Sequence, residues 1–250
     1  MMKKVLSMVL VLMILCVSAA MAETLKMGSS IDFAPYEYYD DETGDIIGID
    51  VEIAQAVCDK LGYDLEIVDM QFDSIIAAVV SGKVDFGMSG FTVTEERKQN
   101  VDFSTTYTTA KQSVIVPVDS EITSVDDLLN PENAFSIGVQ IGTTGDLYIT
   151  DDVEANGLQH TIERYNKAPD AIVALNSGKV DCVIIDDQVA LAFVNSNEGL
   201  KLLDTAYALE EYAICFAKES ALYDSFNTAL EELIADGTVQ SIIDKYITAE

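Results

Sequence analysis

The sequence predicts an α/β fold built as two lobes of like construction, and three observations carry that expectation. Segments with strand-like alternation give way to segments with apolar residues at helical spacing along almost the whole chain. The pentapeptide SGKVD occurs at residues 81–85 and again at 177–181, 96 residues further on, each copy preceded by an apolar stretch. Residues 23–250, left after an N-terminal leader, are enough to bury two modest cores.

The leader is read from its three parts. A charged start, MMKK, precedes the apolar run VLSMVLVLMILCV, and SAAMAE places Ala20 and Ala22 at the −3 and −1 positions of a cut before Glu23. The apolar run is short for a span of about 20 residues. Cys16 follows Met13, Ile14 and Leu15 rather than small residues, which argues against a lipoprotein cut there. The expectation is a protein secreted by a cleavable signal peptide (residues 1–22), cut after Ala22, and periplasmic or extracellular.

Charge narrows the partners. The full chain has 14 Lys and Arg against 43 Asp and Glu, a net charge of −29, and loss of Lys3 and Lys4 with the leader takes it to −31. Such a field repels nucleic acid and anionic lipid headgroups over a Debye length of about 8 Å. Apolar residues make up 49% of the chain, so it is expected to fold and not to behave as an acidic tail. Cys58, Cys182 and Cys215 have no framework spacing and read as small buried hydrophobes. The single histidine, His160, reads as a surface residue entering a strand. The acids of DDETGDIIGID do not follow the calcium-loop spacing and read as a solvated turn.

The elements follow in order. TLKMGSS is a short strand, and YEYYDDETGDIIGID is a hairpin with turn residues at its tip. DVEIAQAVCDKLG reads as a helix with Asp50 as N-cap, apolar Ile53, Val57 and Leu61, and Gly62 as its stop. DLEIVDM is a strand. The helix Asp73–Ser81 is expected to bury a face of Ile75, Ile76, Val79 and Val80. Gly82 and Gly178 then sit where a helix ends in a left-handed residue, Lys83 and Lys179 suit its negative end, and Val84 and Val180 lead into strands. The tail YDSFNTALEELIADGTVQSIIDKYI reads as two helices broken at Gly237.

In strand–helix sheets ligands bind beyond the carboxyl ends of the strands. The first SGKVD strand leads to Ser89, Thr92 and Arg97, and the second to Asp186 and Asp187. A guanidinium fork beside hydroxyls suits a carboxylate, and a facing carboxylate suits an ammonium, so the two segments together would receive the backbone of a free amino acid. Arg97 as a solvated helix charge and Asp186 as a helix N-cap are the alternative readings.

The stretches FAPYEYYDDETGDIIGIDVEIAQAVCDKLG, QFDSIIAAVVSGKVD, TVTEERKQNVDFSTTY, VQIGTT, DCVIIDDQVA and DGTVQSIIDKY are similar, in order and spacing, to family 3 of the extracellular solute-binding proteins, the amino-acid binders of bacterial ABC importers. The resemblance covers essentially the whole mature chain. It implies the two-lobed periplasmic-binding-protein fold, each lobe a mostly parallel sheet flanked by helices. Lobe 1 comprises residues 23–110 and 211–250, lobe 2 residues 111–210, with hinge strands near Thr108–Ser113 and Tyr207–Tyr212. It further implies that Arg97 and Thr92 hold the ligand α-carboxylate with a backbone N–H of Thr143 or Thr144. Gly90 would act through its backbone beside Ser89, Asp186 would take the α-ammonium, and Phe33 and Phe72 would sandwich the ligand side chain. Ser30 stands where many relatives that bind cationic or amide side chains carry an acid, the acids Asp32 and Glu37 are offset, and Gln140 takes a side-chain-recognition position. A neutral polar amino acid is therefore the expected ligand. The resemblance implies a monomer that closes on a free amino acid and delivers it to a membrane permease, with no cofactor, no metal and no catalysis. The rival is an enzyme on the same scaffold, a dehydratase or lyase, and the sequence has no Ser/His or Cys/His pair at a credible spacing for it.

Overall fold

A computed structural model describes residues 22–247, so the expected leader, apart from Ala22, lies outside the described residues. The chain begins with β1 (Thr24–Ser29), the short hairpin β2 (Tyr38–Tyr39) and β3 (Ile46–Ile47), α1 (Ile49–Leu61), β4 (Asp64–Asp69), α2 (Phe72–Val80), β5 (Phe86–Gly87) and β6 (Val101–Phe103). It continues through β7 (Thr108–Pro117), α3 (Asp126–Leu129), β8 (Ser136–Gln140), α4 (Thr144–Asn156), β9 (Thr161–Tyr165), α5 (Ala168–Asn176), β10 (Cys182–Asp186), α6 (Asp187–Ser196), β11 (Leu200–Leu202) and β12 (Ala208–Tyr212). β13 (Cys215–Ala217), α7 (Tyr223–Ala235) and α8 (Thr238–Tyr246) complete it.

Two sheets result, one per lobe. The first has the order β4-β1-β5-β13-β6 and the second β11-β7-β10-β8-β9, with β12 added against β7. Each sheet has a three-strand parallel core, β4-β1-β5 and β10-β8-β9, extended by antiparallel strands. The antiparallel additions come from the segments that pass between lobes. β7 and β12 run antiparallel from Thr108↔Tyr212 to Gln112↔Ala208, a two-stranded connection. Because β13 follows β12 and returns to the first sheet, that sheet is assembled from both ends of the chain.

The repeated pentapeptide has one structural meaning at both sites. After α2, Gly82 at φ 70° lets the chain turn back, with Lys83 N–H donating to Ala78 O; after α5, Gly178 also has φ 70° and Lys179 N–H donates to Ala174 O. The Asp of each copy then grips the neighbouring parallel strand. Asp85 accepts from Lys26 N–H at 2.7 Å and Asp181 from Ser136 N–H at 2.7 Å. In return, the backbone N–H of Asp85 donates to Lys26 O and that of Asp181 to Ser136 O. SGKVD is thus a helix stop and a strand register clamp, used once per lobe.

Three expectations need correction here. Asp50 is not the N-cap of α1; Gly48 is. The first N–H groups of the helix are taken by backbone, Ile49 donating to Pro35 O and Asp50 to Tyr36 O, which leaves the Asp50 side chain free for burial at the site. On α2 the apolar face is narrower than expected: Ile75 and Val79 are buried, but Val80 is 53% exposed, because the helix starts at Phe72 and its core stripe runs through Phe72, Ile75 and Val79. His160 is buried, not exposed. It stacks on Phe135, accepts from Phe135 N–H at Nδ1 and contacts Leu128 O from Nε2 at 2.7 Å, a structural tie in the second lobe. The three cysteines are buried and free, and burial pushes the Cys58 and Cys215 thiols up to about 12.

The close approach at Gly48 carries a prediction. Gly48 has φ 133°, and a Cβ there would lie 2.2 Å from Tyr36 O. Gly48→Ala combines a disfavoured backbone with a backbone clash, so it should destabilise the fold by about 2–6 kcal/mol. The midpoint of denaturant unfolding checks it.

Candidate functional site

The carboxyl ends of four parallel strands converge on one small cavity. β1 delivers Ser30, Asp32 and Phe33; β5 delivers Ser89 and Gly90. β8 delivers Gln140, Thr143 and Thr144. β10 ends at Asp186.

One pole is built for an anion. The turn T-V-T-E-E-R folds because Thr94 Oγ1 accepts from Arg97 N–H at 3.2 Å, starting a 3-10 turn at Arg97–Gln99. Arg97 is buried, its guanidinium 5.4 Å from the Phe72 ring centroid and 5.3 Å from that of Phe91. It donates from Nη1 to Thr92 O at 2.9 Å and from Nη2 to Gly142 O at 3.0 Å, joining the two lobes. It is therefore no solvated helix charge. Facing it is the N-terminus of α4, where Thr143 caps by accepting from Asp146 N–H. The first N–H groups of a helix have no intrahelical partner and favour negative charge. Thr143 and Thr144 line the cavity there.

The other pole is rich in acceptors. Ser30 Oγ donates to Asp32 Oδ1 at 3.1 Å, while Asp32 Oδ2 has no hydrogen-bond partner among the described residues. Its nearest cation, Lys167 Nζ, stands 3.9 Å away. Burial raises the Asp32 carboxyl above its usual range, and Lys167 opposes this. Gln140 gives its Nε2 to Asn166 O and leaves Oε1 without a partner. Phe33 and Phe72 also line the cavity, Phe72 beside Arg97. The neutral pocket inferred from Ser30 is thus not what folds: Asp32 supplies the carboxylate two residues later.

Behind the wall lies a buried acid pair. Ser89 Oγ donates to Glu37 Oε1 at 2.6 Å, and Asp50 accepts from Gly90 N–H at 2.7 Å and from Tyr107 OH at 2.8 Å. Burial, then the neighbouring Asp50, pushes Glu37 well above its usual range; burial pushes Asp50 up to about 6, its hydrogen bonds drawing it back. Glu37 therefore stands behind Ser89 and does not reach the cavity. The Gly90 N–H is thus taken by Asp50, and Gly90 sits at φ 56°.

Of the residues singled out from sequence, Ser30, Phe33, Phe72, Ser89, Gly90, Arg97, Gln140, Thr143 and Thr144 line the cavity. Thr92 and Asp186 do not. Thr92 Oγ1 lies 3.4 Å from Thr144 Oγ1, at the seam between the lobes. Asp186 is fully buried: Oδ1 caps α6 by accepting from Gln188 and Val189 N–H, and Oδ2 accepts from Tyr212 OH at 2.8 Å. Burial, then the Asp187 charge, pushes it up to about 7. Sequence reasoning missed Gln112 and Tyr212, which line the cavity from β7 and β12. The signal was present, since both lie in or beside the segments expected to cross between the lobes.

A cleft between two lobes, closed at the carboxyl ends of their strands and holding an anion pole opposite an acceptor pole, defines a solute-binding protein. The chain belongs to the bacterial extracellular solute-binding proteins, family 3, which matches residues 25–249. It is 38% identical over 229 residues to the arginine-binding extracellular protein ArtP of Bacillus subtilis (strain 168), covering 90% of this chain and 87% of that one. Among solved structures it resembles an ancestral arginine-binding protein bound to arginine, with 37% identity, a TM-score of 0.82, and coverage of 91% and 99% of the two chains. It also resembles the ancestral amino acid-binding protein AncCDT-1, a precursor of cyclohexadienyl dehydratase, with 30% identity, a TM-score of 0.80, and coverage of 89% and 95%. Among the described residues no helix is long and apolar enough to cross a membrane.

Proposed function

We propose that the protein captures a free amino acid with a cationic side chain, arginine foremost, and presents it to the permease of an ABC importer. The observation that carries this reading is the two-pole cavity. Arg97 and the α4 N-terminus suit the α-carboxylate, while Asp32 Oδ2 and Gln140 Oε1, both without a hydrogen-bond partner among the described residues, suit a donor-rich side chain lying against Phe33. The arginine-binding relatives support the same class. Ligand docks on one lobe and the other closes over it, with lobe 1 at residues 23–110 and 211–250 and lobe 2 at 111–210 turning on β7 and β12. Contacts available only in the closed form supply the driving force.

The chain acts as a secreted, monomeric binder and not as an enzyme. The single histidine is taken up by Phe135 N–H and Leu128 O and does not line the cavity, and the buried carboxyls of Glu37, Asp50 and Asp186, all raised by burial, are engaged by hydrogen bonds and do not line it either. Its charge of −29 is unsuited to nucleic acid.

A thermal-shift panel of the mature, ligand-stripped protein against the standard amino acids, ornithine, citrulline and cystine tests the reading. Ligand at 100 times its Kd adds about 2.7 kcal/mol, so arginine should raise the melting temperature clearly. In Asp32→Asn, arginine affinity should fall by about 2–5 kcal/mol, the range for losing one partner of a buried charge pair, while the affinity for neutral citrulline changes little. A wild-type protein stabilised by glutamine and not by arginine would defeat the cationic assignment.

A further inference from the structure

We propose that Gln112 is a specificity-determining residue that accepts a hydrogen bond from the α-ammonium of the bound amino acid, with Glu210 as the positioning residue that turns its amide toward the ligand. The inference rests on the amino-acid reading above and adds to it.

Gln112 is 4% exposed and lines the cavity from β7. Its Nε2 donates to Glu210 Oε2 at 2.9 Å, while its Oε1 is buried without a partner among the described residues. The orientation of the amide is dictated by that neighbour. A carboxylate oxygen accepts the bond from Gln112 Nε2, so the amide nitrogen faces Glu210 and the amide oxygen is turned away from it. Gln112 pairs with Ala208 across the two crossing strands. Glu210, two residues further along β12, projects from the same face.

The carbonyl is also at the right end of the cavity. A Cβ added to Gly145, in the first turn of α4, would lie 2.9 Å from Gln112 Oε1. That is the anion pole, and in an α-amino acid the ammonium is attached to the carbon next to the carboxylate. Gln112 is moreover the register partner of Asp186 on β10. Both oxygens of Asp186 are already engaged, by α6 N–H groups and Tyr212 OH. Among the described residues Glu210 Oε1 also lacks a partner, but Glu210 does not line the cavity, whereas Gln112 does and its Oε1 is unengaged.

Titration calorimetry of wild type, Gln112→Leu and Glu210→Gln with L-arginine and with 5-guanidinopentanoate, its analogue without the α-amino group, tests the assignment. Gln112→Leu should weaken L-arginine at least tenfold and leave the analogue within twofold. Glu210→Gln, which permits either amide orientation, should weaken L-arginine by a smaller factor and again spare the analogue. Equal weakening of both ligands would reduce Gln112 to a packing role, and unchanged L-arginine affinity would remove it from the site; either overturns the proposal alone. A wild-type protein that binds no L-arginine overturns the functional reading and this inference together.

Discussion

Arg97→Ala is expected to weaken amino-acid binding at least a hundredfold and to lower the stability of the protein without ligand. The side chain is asked to do two things at once. Its fork faces the carboxylate pole, and it also donates to Thr92 O and Gly142 O across the seam of the lobes. Losing one partner of a buried charge pair costs about 2–5 kcal/mol of affinity, which spans the predicted hundredfold. The truncation leaves two carbonyls without a donor and a hole beside the stacked Phe72 and Phe91 rings; each unsatisfied buried group costs about 1–3 kcal/mol. Arg97→Lys is the informative control. An ammonium is a point charge without a planar fork, so it should keep part of the stability and little of the affinity. Calorimetric titration and thermal unfolding of the two variants separate the effects. Wild-type affinity in Arg97→Ala would remove the anion pole from the mechanism.

The second large effect is in pH. Asp186, pushed up to about 7 by burial and by Asp187, is protonated below that pH in the protein without ligand. Its surroundings contribute Tyr212 OH, the α6 N–H groups and Tyr36 from the first lobe, and Asp187 is itself paired with Lys111 at 3.2 Å. A folded-state value raised above the unfolded one means stability fully present near pH 4 and lost as pH rises toward 7. A ligand ammonium brought to this end of the cavity reverses the sign, because a nearby cation favours the ionised form. Binding should therefore strengthen as pH rises from about 5 to 7 and should release protons in that window, a tenfold change in affinity corresponding to about 1.4 kcal/mol. Asp186→Asn should flatten both trends. Calorimetry in buffers of different ionisation enthalpy reads the proton release directly, and a pH-independent affinity in wild type would exclude Asp186 from ligand linkage.

Much of the fold was legible because its signals are local. The Gly82 and Gly178 stops, the break at Gly237 and the strand TLKMGSS each depend on a few neighbouring residues and were read correctly. The repeat was legible as a repeat, but its purpose was not: the Asp of each copy clamps a strand residue 59 or 45 positions earlier. The same limit explains the misplaced cap. Asp50 satisfies every local rule for an N-cap, yet its carboxylate is drawn to Gly90 and Tyr107, which arrive from 40 and 57 residues away, and carbonyls of the hairpin cap the helix instead.

The site divides along the same line. By itself the sequence determined the strand–helix frame, the acidic character and the local geometry that presents Arg97 and Thr143, since T-V-T-E-E-R folds its own turn and α4 makes its own N-terminus. Only the tertiary structure decided that Asp32 and not Ser30 supplies the pocket carboxylate, that Asp186 is covered by Tyr212, and that Gln112 turns a carbonyl inward because Glu210 lies behind it. The physical reason is that burial and hydrogen-bond direction belong to pairs of groups. Where partners lie 26 or 98 residues apart along the chain, as Asp186 with Tyr212 and Gln112 with Glu210 do, neither residue alone carries the information.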